Sequence, residues 1–133
     1  MSPINFTYGS NLHTELNALY LREMPHHQSR LAAAAEYHFK NPGKSFRAQL
    51  ALSSGFALGL NTLDNLHWAA ACELLHNASL IHDDISDASI HRRGQESIHQ
   101  HFGSDMALCL GDWMVAKSFE LGASCLLYTS PSP

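Results

Sequence analysis

Charge is scarce in this chain of 133 residues: 15% are Asp, Glu, Lys or Arg, and the formal net charge is −4. A general nucleic-acid binder needs a basic face to neutralise phosphates, so this balance argues against a nucleic-acid partner. Cysteine is also sparse. Cys72, Cys109 and Cys125 show no paired spacing, and the first two sit in apolar helical surroundings, which suits buried reduced thiols better than a disulfide framework. No basic-then-apolar leader is legible, and no uninterrupted apolar run approaches the ~20 residues of a transmembrane helix. A cytoplasmic protein without a transmembrane segment is expected. No region reads as a strand.

What is present is helical periodicity in a chain that is 45% hydrophobic, with enough residues for one core. The pattern predicts an all-α antiparallel helical bundle. One helix is expected over 12–24, with Asn11 as its cap and Pro25 just beyond. A second is expected over 28–39, with four consecutive alanines permitting close contact, broken by Lys40-Asn-Pro-Gly-Lys44. A third spans 46–58 and stops at Gly59 and Asn61, both suited to left-handed caps. The fourth, capped by Thr62 and reaching Asp87, would be about 37 Å long. Being apolar on most sides, it belongs in the middle of a bundle. The last starts at Ser104 and ends near Gly122. Residues 124–133, Ser-Cys-Leu-Leu-Tyr-Thr-Ser-Pro-Ser-Pro, lose periodicity and are expected to be a disordered or non-native tail that looks like translated adapter read-through.

Chemistry concentrates where the fourth helix ends. Asp83 and Asp87 are four residues apart and Asp84 and Asp87 three apart, so the helix brings three carboxylates to one patch. They lie at a C-terminus, where the helix dipole disfavours them. An acidic helix end is ordinarily just solvated surface. Here it closes an apolar helix, and a local penalty without local compensation marks a functional site. Hard divalent cations answer such a cluster, Mg²⁺ above all, with a phosphorylated substrate completing the oxygen shell. Arg92 and Arg93 follow at once and suit phosphate oxygens.

Two further groups point the same way. Lys44 and Arg47 flank the start of the third helix, where free backbone amides favour anions, although surface solvation is the plainer reading of either alone. His76 lies seven residues before Asp83, on the same face. A buried histidine is more often a satisfied core residue than a ligand, but aligned with the carboxylates it becomes a phosphate donor.

These residues resemble a known family. Asp83-Asp84-Ile85-Ser86-Asp87 matches the first aspartate-rich motif of the trans-type polyprenyl diphosphate synthases. Arg92-Arg93-Gly94 matches the Arg-Arg-Gly that follows it, and Gly43-Lys44-Ser45-Phe46-Arg47 matches an earlier Gly-Lys-x-x-Arg element. Phe102-Gly103 and Gly111-Asp112 match a later segment, and the likeness covers residues 10–123. The resemblance implies the N-terminal portion of an isoprenoid synthase helical domain over 1–123, and condensation of isopentenyl diphosphate with an allylic diphosphate. It implies that Asp83, Asp84 and Asp87 bind Mg²⁺ and that Arg92 helps to hold the allylic diphosphate. Lys44, Arg47, His76 and Arg93 would hold the diphosphate of isopentenyl diphosphate. It also implies a homodimer at full length.

Ser45 stands where the family commonly has a basic residue, and Glu96 where proline is common. The family's second aspartate-rich motif is not in this sequence, so the chain alone is expected to be inactive. Ala78 and Ser79, both small, precede Asp83 by about one turn and are expected to leave the product pocket open for medium- to long-chain products. Three other readings stay open. A His-Asp type metal phosphohydrolase would use His76, His82 and Asp83 but leaves Arg92, Arg93, Lys44 and Arg47 without a task. A non-catalytic subunit of a two-component synthase would ordinarily lack the aspartate motif. A purely structural bundle explains the core and nothing of the acidic cluster.

Overall fold

The computed structural model describes residues 6–40 and 46–129, with side chains over 14–40 and 46–125. Helix α1 spans Phe6–Glu23, α2 Leu31–Phe39, α3 Phe46–Ala57 and α4 Thr62–Ser86. A hairpin of two-residue strands follows, β1 (His91–Arg92) and β2 (Gln95–Glu96), then α5 (Ile98–Phe102) and α6 (Ser104–Thr129). The all-α class is as expected. The short connection between α3 and α4, which pack together, makes them antiparallel neighbours.

Several boundaries differ from the sequence reading, each for a physical reason. Asn11 lies inside α1, not at its cap, and α2 begins three residues later than expected, at Leu31. Asn61, not Thr62, caps α4: its backbone is extended at φ −68° and its side-chain oxygen accepts from the Asp64 amide at 2.9 Å. It is not a left-handed cap. Gly59 does take that role, at φ +82°. The hairpin corrects the expectation of no strand; two residues per strand are too few for alternation to show. Helix α6 continues past Gly122 to Thr129, with Cys125 buried. Its Ser124 hydroxyl donates to the Leu121 carbonyl at 2.9 Å, so a residue read as loop-forming is absorbed by the helix.

Helix α4 is the centre. It packs against α6 most extensively, then α3, and also α1 and α5. Ala69, Ala70, Ala71, Leu74, Ala78 and Ile81 are all buried along it, covering more of its circumference than one amphipathic stripe allows. Leu16 and Leu19 of α1, Ala34 and Ala35 of α2, Ala48 and Leu52 of α3, and Leu110 and Met114 of α6 complete the core. Lys117 of α6 ties that helix to α1 through Glu23 at 3.2 Å.

The α3–α4 contact is tight at one point. A Cβ on Gly55 would run into the side-chain amide of Asn65, which is fully buried and donates to the Leu52 carbonyl at 2.9 Å. By contrast, a Cβ on Gly122 would meet only the Ala71 methyl at an ordinary 3.8 Å. Gly55→Ala is therefore expected to destabilise the full-length protein by about 2 kcal/mol. Gly122→Ala should be neutral or stabilise by up to ~1 kcal/mol through helix propensity. Thermal unfolding midpoints of the two variants check the contrast, and equal shifts would contradict the packing described.

Candidate functional site

The three aspartates do not form one patch. Asp83 and Asp87 are exposed, whereas Asp84 is buried at 4% exposure. Successive helical residues are turned by about 100°, which separates Asp84 from its neighbour. Arg92 meets it in a two-pronged ion pair, its Nε and a terminal nitrogen donating to the two carboxylate oxygens at 3.0 and 2.7 Å. That fork-to-fork geometry is the strong form of the interaction, and it holds the guanidinium charge more firmly than in water.

The hairpin that delivers Arg92 is built on a two-residue loop. Arg93 and Gly94 have φ of +54° and +79°, as a type I′ turn requires at both central positions. Gln95 donates to the Tyr37 carbonyl at 3.1 Å, and the Tyr37 hydroxyl donates to the Glu96 carbonyl at 2.9 Å. The hairpin is thus fastened to α2. A terminal nitrogen of Arg93 donates to Asn77 Oδ1 on α4 at 3.2 Å.

One α4 turn organises the other basic groups. The buried carboxylate of Glu73 accepts the Ala48 amide at 3.2 Å, so one of the amides expected to be open to an anion at the start of α3 is already occupied. That contact sets α3 so that exposed Arg47 reaches His76 Nε2 at 3.1 Å. Asn77 accepts from His38 Nε2 at 2.7 Å, and its amide nitrogen donates to the Glu73 carbonyl at 2.7 Å. An amide oxygen can only accept, so the His38 proton sits on Nε2. Lys44 lies outside the described residues.

These contacts create a positive field. Burial, and then the charge of Arg47, push His76 below its ordinary pKa, with Arg93 and Arg92 adding to the effect. Burial, then Arg92, lower Arg93 as well. Basic groups held this close to one another are relieved by an anion. The structure thus brings together Arg47, His76, Arg92 and Arg93 from three separated stretches of sequence. His38, Glu73 and Asn77, which join them, escaped the sequence reading because each looks like part of an apolar helix.

The later motif also has a physical account. Gly103 ends α5 at φ +96°. A Cβ on Gly111 would collide with the His82 imidazole, which approaches Asp112 at 3.3 Å. Ala78 is fully buried, while Ser79 is exposed and its hydroxyl donates to the His76 carbonyl at 2.7 Å. The two residues expected to form one pocket floor therefore face different ways.

The carboxylates suit a hard divalent cation in donor chemistry. Among the described residues no three His, Cys, Asp or Glu side chains are placed to share an ion. Exposed Asp83 and Asp87 fit a cation whose remaining oxygens come from a diphosphate; Asp84 joins them only if Arg92 moves.

Comparison with known proteins narrows the possibilities. The sequence profile of the polyprenyl synthetase family matches residues 28–131. A geranylgeranyl pyrophosphate synthase of Geoglobus acetivorans is 40% identical over 91 residues, covering 68% of this chain and 28% of the relative. A short chain isoprenyl diphosphate synthase of Methanothermobacter thermautotrophicus is 43% identical over 90 residues, with the same two shares. The chain thus spans little more than a quarter of the length of these relatives. Among solved structures, a polyprenyl synthase from Caulobacter crescentus CB15, complexed with calcium and isoprenyl diphosphate, superposes with a TM-score of 0.80 at 29% identity. The match covers 86% of this chain and 35% of that one.

His38 makes the basic cluster's support sensitive to acid. Burial lowers its pKa from the ordinary 6.5 to about 4, against the opposing pull of the Asn77 hydrogen bond. The folded value lies below the unfolded one, so this stabilisation is complete above pH 6.5 and is lost as pH falls toward 4. The difference corresponds to about 3 kcal/mol. Urea midpoints of the full-length protein should fall between pH 7 and 4.5 by more than those of His38→Gln. Parallel curves for the two proteins would show that His38 titrates normally.

Proposed function

The chain belongs to the polyprenyl synthetase family, and on that premise we propose that it forms the N-terminal part of an enzyme condensing isopentenyl diphosphate with an allylic diphosphate. One observation carries the reading: Arg47, His76, Arg92 and Arg93 converge beside the carboxylate-bearing end of α4. The phosphohydrolase alternative gives three of those four groups no task. A structural bundle gives none of them one.

In this reading Arg47, His76 and Arg93 hold the diphosphate of isopentenyl diphosphate, joined by Lys44, three residues before Arg47 in the sequence. Arg92 turns from Asp84 to the allylic diphosphate. Asp83, Asp84 and Asp87 would hold Mg²⁺, which when bound would offset the charge developing on the leaving diphosphate. The arginines add to that stabilisation and orient both substrates, so that the homoallylic double bond lies where the allylic carbon ionises. The apolar faces of α4 and α6 exclude water from the carbocation. Cys72, Cys109 and Cys125, which form no disulfide, fit a reducing cytoplasm, and exposed Phe56, Leu63 and Phe119 offer apolar surface to a second copy in a homodimer.

The test is turnover of the full-length enzyme. Asp83→Ala and Asp84→Ala should each lower kcat by about 100-fold or more while the far-ultraviolet circular dichroism stays native. Near-normal turnover in both would sink the prenyltransferase reading.

Product length follows from α4. Ser79 lies one turn before Asp83 on the open side, with Ala78 behind it in the core. Both are small, so the growing chain meets no bulky floor here, and products longer than about fifteen carbons are expected. Ser79→Phe, on the open side, should shorten them. Chromatography of the products decides it: a wild type that already stops at fifteen carbons, or an unchanged length in Ser79→Phe, would refute the open floor.

A further inference from the structure

Asn77 is buried at 2% exposure, yet all of its hydrogen-bonding groups are engaged. Its oxygen accepts from His38 Nε2 at 2.7 Å and from Arg93 at 3.2 Å. Its nitrogen donates to the Glu73 carbonyl at 2.7 Å and faces the Glu73 carboxylate at 3.4 Å. The amide therefore cannot rotate without breaking bonds on both sides, and a buried polar group left unpaired is costly. Arg93, by contrast, sits in a two-residue turn at φ +54°, half-buried and with a long side chain. Such a side chain pays an entropic penalty when an anion fixes it, and prior anchoring reduces that penalty.

We propose that Asn77, braced by His38 from α2, is a positioning residue that aims the Arg93 guanidinium at the diphosphate of isopentenyl diphosphate. The inference rests on the assignment of Arg93 to that diphosphate. His38 acts one step further back: its Nε2 proton fixes which way the Asn77 amide points. A core asparagine that merely satisfied its neighbours would affect stability and leave substrate discrimination alone.

The experiment compares Michaelis constants in the full-length enzyme for Asn77→Ala, Arg93→Ala, the double variant, His38→Gln and His38→Leu. Asn77→Ala should raise KM for isopentenyl diphosphate about tenfold and leave KM for the allylic diphosphate within about twofold. In the Arg93→Ala background the same change should add less than about twofold, because it acts through the group already removed. His38→Gln keeps an N–H donor for Asn77 and should stay near wild type, whereas His38→Leu should follow Asn77→Ala in direction. If Asn77→Ala fails to fold, the His38 pair decides the matter by the same KM comparison.

Equal rises in both Michaelis constants, full additivity with Arg93→Ala, or a glutamine no better than leucine at His38 would each overturn the positioning role alone. An unchanged KM for isopentenyl diphosphate in Arg93→Ala would instead overturn the diphosphate assignment, and the inference with it.

Discussion

Polar side chains buried on a central helix are the constraint on which the rest of this structure depends. Helix α4 is buried over most of its circumference, and Asp64, Asn65, Glu73, Asn77 and Asp84 all lie in its buried surface. Each must find a partner or cost several kcal/mol. Asp64 finds its partner locally, in the Asn61 cap, and the Asn65 side-chain oxygen has none among the described residues; the other partners come from other elements. Asn65 takes the Leu52 carbonyl and Glu73 the Ala48 amide, both on α3; Asn77 takes His38 on α2 and Arg93 on the hairpin; Asp84 takes Arg92. Apolar packing brings these elements to α4 without specifying their register. The directional bonds fix it, and with it the positions of Arg47, Arg92 and Arg93.

The alanines make that arrangement possible. Ala69, Ala70, Ala71 and Ala78 let neighbouring backbones approach α4 closely, so short side chains such as Asn77 can reach across to another element. Small apolar residues and buried polar ones are therefore complementary requirements of one helix. Close approach supplies dispersion contacts along its length, and the polar bonds supply the specificity that such contacts lack.

Much of this was legible in the sequence. The span of α4 could be read almost to the residue, because Gly59 stops α3 by local chemistry and an apolar pattern runs from there to Asp87, although the cap is Asn61 and not Thr62. Arg47 and His76 could be picked out singly, from the start of the third helix and from helix phase with Asp83, but their pairing across α3 and α4 could not. Nor could the orientation of Asp84. Spacing places three carboxylates within one turn, but whether each faces solvent or a partner depends on where a later hairpin folds back. Ser124 and the rest of α6 were misread for a related reason: serine favours loops locally, yet packing carries the helix through it and buries Cys125. Glu73 and Asn77 look unremarkable in sequence because their partners lie 25 and 39 residues away.

The hairpin shows why two adjacent arginines can serve one helix. Along a strand, successive side chains point to opposite faces, so an Arg-Arg pair in a regular strand would send only one toward α4. Here Arg92 ends β1 and Arg93 begins the turn, at φ +54°. Both reach α4, at Asp84 and at Asn77. Those two residues are seven apart, about two turns, and so lie on the same face roughly 10 Å from each other. A left-handed conformation at a residue other than glycine costs roughly 1–2 kcal/mol, and Ala88, at φ +53°, carries a second one where the chain leaves α4. The amide of Ser89 then bonds back to the Asp84 carbonyl at 2.9 Å. Two strained residues thus bracket the ion pair, one at the helix end and one at the turn, and together they fold the chain back so that consecutive arginines span a single helical face.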